Sequence, residues 1–267
     1  MPYETVDLQI AERIARITLN RPERLNALSP QLTEELGDAI EEVAGTADDV
    51  RCLILTGAGR AFCAGGDTGG MAGSGQERDR GGAEGIRRSF RGAQRVVLGL
   101  HRLEIPTIAM VNGDAVGAGF DLACVCDLRT MSERARFMVA YRRIGLIPGW
   151  GGAWLYPRRL GLTKAAEMMF TGDFMSAEQA SSYGFISAIA PAEQLEDVTM
   201  ELAGRIAAGP PISLRLMKQL LYKGLQLDLE TAMLMAATGS SITLSSEDHR
   251  EGVAALREKR PAAFQGR

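Results

Sequence analysis

Only two histidines, His101 and His249, and four cysteines, Cys52, Cys63, Cys124 and Cys126, occur in the 267 residues of this chain. No spacing among them matches a zinc-ligand set, so a metal site is not expected. The cysteines lie in apolar runs and read as buried thiols of a reducing compartment rather than as a disulfide framework. No apolar run reaches the roughly 18 residues of a membrane span, and no N-terminal signal pattern is seen. The expected location is the cytoplasm. Charge of one sign is also lacking: the net charge is −3, which gives no general attraction for nucleic acid or anionic membranes. A Gly-x-x-x-x-Gly-Lys-Ser/Thr phosphate loop is absent. Gly117-Ala118-Gly119 is followed by Phe-Asp-Leu, so the third glycine of a dinucleotide fingerprint is missing.

What is present is ordinary for a soluble enzyme: 46% hydrophobic residues, 24% charged residues, and 31 glycines that imply many tight turns. The length suits one large α/β domain, with or without a small appendage. Apolar strand candidates recur at Ile14–Leu19, Cys52–Thr56, Ile108–Val111 and Asp127–Met131, separated by turns and helical stretches, which suggests stacked β-β-α units. Ser29 followed by Pro30 marks the start of a helix over Pro30–Val43. Further helices are expected at Ile86–Arg102, Ala118–Cys126, Ala177–Tyr183, Glu193–Ala207 and Ile212–Gly224, and an amphipathic basic helix near the C-terminus. The glycine-rich stretch between Gly65 and Gly85 cannot hold a regular helix cheaply. It reads either as a mobile loop beside a site or as a plain insertion. Arg87, Arg88, Arg91 and Arg95 sit at helical spacing, and Arg142, Arg143, Arg158 and Arg159 flank a glycine-rich loop. Such clusters serve either as solvated helix faces or as contacts to a phosphorylated ligand.

Residues 106–129 are the most informative stretch, because an apolar strand runs into a glycine-punctuated turn that opens a helix. Free N–H groups and the positive end of the helix dipole then point above the strand, where they can receive an anion. Gly117 and Gly119 clear side chains from around the Ala118 N–H, and Asp121, three residues on, shares the helix face of Ala118. The alternative is that these glycines serve tight geometry alone, with Asp121 bonded to backbone or an arginine.

Two glycine turns, Gly57-Ala-Gly-Arg-Ala-Phe-Cys-Ala-Gly-Gly-Asp67 and Asn112-Gly-Asp-Ala-Val-Gly-Ala-Gly-Phe-Asp121, stand together in this chain. They are joined by Asn20-Arg-Pro-Glu-Arg-Leu-Asn-Ala-Leu28, Ile144-Gly-Leu-Ile-Pro-Gly-Trp-Gly-Gly152, Phe170-Thr-Gly-Asp-Phe-Met-Ser-Ala-Glu-Gln-Ala180 and Asp248-His-Arg-Glu-Gly252. The set resembles the enoyl-CoA hydratase/isomerase (crotonase) family over about residues 5–264. The resemblance implies an α/β spiral of repeated β-β-α units over 1–195, carrying the acyl-CoA site, and a C-terminal helical trimerisation region over 196–267. A homotrimer or homohexamer is the implied assembly.

By motif position, the thioester carbonyl would lie between the N–H groups of Gly66 and Ala118. Coenzyme A, carried by the substrate and not a separate cofactor, would meet Arg24, Leu25, Ala64 and Asp67, with Lys259 reaching the phosphates from a neighbouring subunit. Hydratases of the family hold a glutamate at each of two positions occupied here by Asp121 and Tyr141. Asp121 keeps the carboxyl but shortens its reach by about 1.5 Å. A phenol with an ordinary pKa of about 10 would cost about 4 kcal/mol to use as a base at neutral pH. Tyr141 is therefore either a proton or hydrogen-bond donor in the chemistry or an aromatic wall of the acyl pocket. Trp150 and Trp154 are expected to line an apolar wall, and Met71, Met110, Met138 and Met168 to lie in the core. The implied reaction is addition or removal of water at a 2,3 double bond through an enolate. Alternatives are double-bond isomerisation, thioester hydrolysis, C–C cleavage, or thioester binding without turnover.

Overall fold

The computed structural model describes residues 3–46, 49–67, 87 and 90–267. The glycine-rich stretch singled out above, from residue 68 onward, and Met71 within it lie outside the described residues. Strands β1 (Val6–Ala11) and β2 (Ile14–Leu19) form a hairpin, and a 3-10 turn at Pro22–Arg24 leads into α1 (Pro30–Gly45). Next come β3 (Cys52–Gly57), β4 (Ala61–Cys63), α2 (Arg91–Arg102), β5 (Thr107–Val111), β6 (Asp114–Val116) and α3 (Ala118–Val125). After β7 (Leu128–Ser132) and β8 (Arg136–Met138) a 3-10 turn at Ala140–Ile144 precedes α4 (Gly152–Leu160) and α5 (Leu162–Thr171). The chain closes with β9 (Phe174–Ser176), α6 (Ala177–Ser182), β10 (Ala188–Ala190), α7 (Leu195–Ala207), α8 (Pro211–Gly224), α9 (Leu229–Ser245) and α10 (Glu247–Glu258).

Two sheets result. One runs β1-β2-β3-β5-β7-β10 and the other β4-β6-β8-β9. After the β1–β2 hairpin, which lies wholly in the larger sheet, the strand pairs β3/β4, β5/β6 and β7/β8 each give one strand to each sheet. All pairings in the larger sheet are parallel except β1 with β2. Parallel strands covered on both faces need apolar side chains on both sides, and β3 meets this with an unbroken Cys-Leu-Ile-Leu run. Leu53 and Leu55 face the main core with α1, α2 and α3. Cys52 and Ile54 face the opposite side, packing with Ile14, Ile108 and Met110 against Leu195, Ala203 and Ala207 of α7. Thus α7 covers the larger sheet, and the helices from Pro211 onward lie beyond it.

The predicted starts of α1 and α6 carry their caps. Ser29 Oγ accepts from the Leu32 N–H at 3.1 Å with Pro30 in the first turn, and Ser176 with Gln179 forms a reciprocal capping box. Along α1 the buried residues Leu32, Leu36, Ile40 and Val43 make one apolar face. Met110, Met138 and Met168 are buried, as are all four cysteines, which are free thiols. No helix among the described residues is long and apolar enough to cross a membrane.

Many of the arginines grouped in the sequence have structural partners. Arg95 pairs with Asp38 and Glu41, Arg142 and Arg143 donate to the Thr171 and Gly172 carbonyls, and Arg159 bonds the Cys124 carbonyl and the Tyr222 hydroxyl. Trp150 packs on the core, but Trp154 is 39% exposed and sits against His101 and Arg158 instead of an apolar wall. Its position on α4, two residues before the buried Tyr156, turns it to the outer face of that helix.

Candidate active site

Two glycine turns meet edge to edge at the end of the smaller sheet. The first follows β4 and is fixed by Asn26, a fully buried residue whose side-chain amide donates to the Ala58, Ala61 and Phe62 carbonyls. Its side-chain oxygen accepts from the Arg21 N–H at 3.0 Å. Backbone bonds then zip the segment: Ala64 N–H to the Leu25 carbonyl at 2.9 Å, Leu28 N–H to Gly65 at 2.7 Å, and Asp67 N–H to Leu28 at 3.2 Å. In a parallel bridge one residue bonds to the two neighbours of its partner. Leu28 does this across Gly66, so the Gly66 N–H is left pointing away from the pairing.

The second turn links β6 to α3. Gly117 has φ +54 and ψ −119, its N–H donates to the Met138 carbonyl at 2.8 Å, and its own carbonyl accepts from the Asp121 N–H at 3.1 Å. Ala118 is the first residue of α3, and no side chain caps that end. Among the described residues neither the Gly66 nor the Ala118 N–H meets an acceptor. The turns are pressed together where only glycine fits. A Cβ on Gly65 would stand 2.7 Å from the Val116 oxygen and 3.5 Å from the Ala118 nitrogen, and one on Gly119 would stand 2.2 Å from the Cys63 oxygen. Two preorganised N–H groups beside a helix N-terminus can receive a developing oxyanion.

Asp121 lies one turn into α3 with no exposed surface. The Tyr141 hydroxyl donates to its Oδ2 at 2.5 Å, and the Tyr156 hydroxyl donates to its Oδ1. Burial raises its pKa to about 7, against the lowering effect of the two hydroxyl donors. A carboxyl poised there can both take and give a proton near neutrality. Burial, followed by the charge of Asp121, pushes the Tyr141 hydroxyl far above its ordinary value, so it acts as a donor and not as a base. Position 149 has no side chain, and a Cβ there would stand 2.5 Å from the Phe90 ring. No second carboxylate enters the site from that loop.

Of the residues expected from the sequence, Leu25, Ala64, Gly66, Asp67, Ala118, Asp121 and Tyr141 come together around these two turns. Leu25 sits in the left-handed region at φ +52, and Asp67 accepts from Arg21 at 3.1 Å. Arg24 is exposed in the first loop. Lys259 is not brought into this group within one chain: it ends α10, exposed, with φ +53. Tyr156 was not singled out from the sequence. The available signal is its spacing four residues after Gly152, the position whose missing side chain makes room for it. Among the described residues no group of three or more His, Cys, Asp or Glu side chains could hold a metal ion.

The sequence profile of the enoyl-CoA hydratase/isomerase family matches residues 9–267, and the chain belongs to that family. It is an enoyl-CoA hydratase-like enzyme with the crotonase fold. Over 268 residues it is 34% identical to the crotonyl-CoA hydratase of Syntrophomonas wolfei, covering 99% of each chain. It is 35% identical to the 1,2-epoxyphenylacetyl-CoA isomerase of Escherichia coli, covering 97% of each. The crystal structure of an enoyl-CoA hydratase from Bacillus anthracis superposes with a TM-score of 0.90 at 33% identity, covering 99% of this chain and 100% of that one.

Proposed function

We propose that the enzyme binds an acyl-CoA thioester with the carbonyl oxygen between the Gly66 and Ala118 N–H groups, and that Asp121 moves the protons in hydration or dehydration of a 2,3 double bond. The observation that carries this reading is a buried carboxyl, poised near neutral pH, one turn behind a helix N-terminal N–H that meets no acceptor among the described residues. In hydration, Asp121 removes a proton from water as the oxygen adds to C3. The electron pair of the double bond shifts onto the thioester oxygen, where two fixed donors stabilise the enolate more than the neutral carbonyl, by roughly 3–4 kcal/mol per good donor. Collapse of the enolate takes the same proton from Asp121 to C2, so one water is added and the carboxylate is restored. Tyr141 supplies a hydrogen bond on the substrate side. The reaction needs no cofactor beyond the coenzyme A that the substrate carries.

Arg24, Leu25, Ala64 and Asp67 line the coenzyme A path, with Lys259 supplied by a neighbouring copy. Region 196–267 joins copies into a trimer or a hexamer, a reading supported by large apolar side chains left exposed on α8 and α9. Leu221, Leu229 and Leu234 are 63%, 76% and 66% exposed, and monomers rarely leave so much contiguous apolar surface in water. The cytoplasm, where buried thiols stay reduced, is the expected compartment.

A second reading, migration of the double bond, is favoured by the single carboxyl that the described residues bring to the site, since one base suffices to carry a proton from C2 of a 3-enoyl thioester to C4. Incubation with saturated, 2-enoyl, 3-enoyl, dienoyl and 3-hydroxyacyl thioesters, followed by mass spectrometry, separates the two. Hydration predicts a mass gain of one water from the 2-enoyl substrate. Conversion of the 3-enoyl substrate at constant mass supports migration, and tight binding without any product overturns both.

A further inference from the structure

Both oxygens of Asp121 are held, but by tyrosines in unlike surroundings. Tyr141, in the 3-10 turn, is half-buried and so the more accessible of the two. Tyr156 is fully buried in α4, its ring stacked on Phe120 with centroids 4.9 Å apart and planes 16° apart. Gly152, one helical turn earlier, is what admits it: a Cβ there would stand 2.4 Å from both Asp121 Oδ1 and the Tyr156 ring. The second ring is thus locked by packing on one side and by a missing side chain on the other.

We infer that Tyr156 is a positioning residue, whose hydroxyl fixes Asp121 Oδ1 and leaves Oδ2, the oxygen shared with Tyr141, to exchange protons with the substrate. This rests on the proposed role of Asp121 as the acid and base. A carboxyl turned about its Cβ–Cγ bond would present either oxygen, at the wrong angle as often as the right one. A rigid donor on one oxygen removes that freedom. The same donor favours the charged form of the carboxyl and so opposes the effect of burial. Among the described residues, the other ionisable groups here are the thiols of Cys124 on α3, which interacts with Asp121, and Cys63 on β4, which interacts with Tyr141, both pushed up by burial and neutral. No cation contributes among the described residues, so the two phenols alone offset burial.

The test is the pH profile of kcat/KM for the parent, Tyr156→Phe and Asp121→Asn enzymes with the thioester that the panel identifies. The parent profile should rise through about 7. Phenylalanine keeps the ring on Phe120 and removes the donor, so the rise should move up by about one pH unit. At the optimum kcat should fall about tenfold with KM within threefold, the mark of an interaction needed in the transition state. Placing 3-fluorotyrosine at position 156, a stronger donor of the same shape, should move the rise the other way and keeps the test open if Tyr156→Phe fails to fold. A profile lowered uniformly, with its rise unmoved by either change, overturns the positioning role while leaving that of Asp121 intact. If Asp121→Asn keeps turnover, the acid-base reading itself falls, whatever Tyr156 does.

Discussion

Lys218 on α8 and Asp127, just before β7, form an ion pair of 2.7 Å that ties the C-terminal helices to the larger sheet. Lys218 also donates to the Ile105 carbonyl at 2.8 Å, while Tyr222 and Thr107 donate to the same aspartate. The pair is nearly buried, and removing one partner leaves the other charge without its counter-ion. Lys218→Met should lower unfolding free energy by about 3 kcal/mol in urea titrations. A loss below about 1 kcal/mol would class the pair with surface salt bridges.

Ala118→Pro removes the Ala118 N–H at the first helical position, where proline is otherwise tolerated, although its ring also crowds the turn beside Gly65. Turnover should fall by about 10² or more. Circular dichroism matching the parent must accompany the kinetics. A folded variant with parental turnover would exclude this N–H as the thioester donor.

Asp121→Asn keeps the volume of the side chain and abolishes proton transfer, so kcat should fall by about 10²–10⁴ with thioester affinity nearly unchanged. The same variant reports on stability. The folded carboxyl titrates near 7 and the unfolded one near its ordinary value of 3.8, so the folded state holds more protons between those limits. Asp121 therefore contributes a loss of stability as pH rises from about 4 to about 7, and no further change above. Parent-minus-variant denaturation curves should slope downward across that window, and a flat difference would contradict the raised pKa.

Tyr141→Phe should lower kcat by about 10–10³ if its hydroxyl orients water or delivers a proton, with folding and thioester affinity retained. Stopped-flow kinetics beside a thioester-binding isotherm separate the two effects. Parental kcat would leave the ring as a wall of the pocket and nothing more.

Light scattering should give a mass three or six times that of the 28.7 kDa chain. Leu234→Glu, on the exposed face of α9, should shift it toward the monomer. A parental monomer at micromolar concentration would remove the proposed trimer.

The sequence disclosed the parts of this molecule that depend on local chemistry. Ser29-Pro30 and Ser176 announced helix starts because their caps are made within four residues, and Gly117-Ala118-Gly119 announced the turn because the φ of Gly117 disfavours a side chain and Gly119 lies against the Cys63 carbonyl. Strands β4, β6, β8, β9 and β10, three residues each, are too short for periodicity to register and exist only through pairing with distant segments. Helices α4 and α5 have no counterpart among the helices expected from the sequence, α4 carrying Pro157 inside it. Helix α9 is covered only by the helical region 196–267 that the resemblance implies, because its many exposed apolar residues blur the two-faced pattern of a helix packed on its own core. At the site, Asp121 and Tyr141 were legible through motif position, but Tyr156 was not. What makes Tyr156 polar in function is an encounter across 35 residues, and a tyrosine in an apolar helix otherwise reads as packing.

The vacancy at Gly152 also constrains how this chain could change. Lengthening residue 121 to glutamate adds about 1.5 Å between two tyrosines whose hydroxyls already hold both of its oxygens, and enlarging residue 152 collides with the Tyr156 ring. Tyr141→Glu removes the ring on one side of that space, while the Tyr156 ring still bounds the other. Shrinking position 156 would widen the space, but that step removes the hydroxyl that holds the existing carboxyl. Positions 121, 152 and 156 are thus coupled, and a change at any one of them is constrained by the other two.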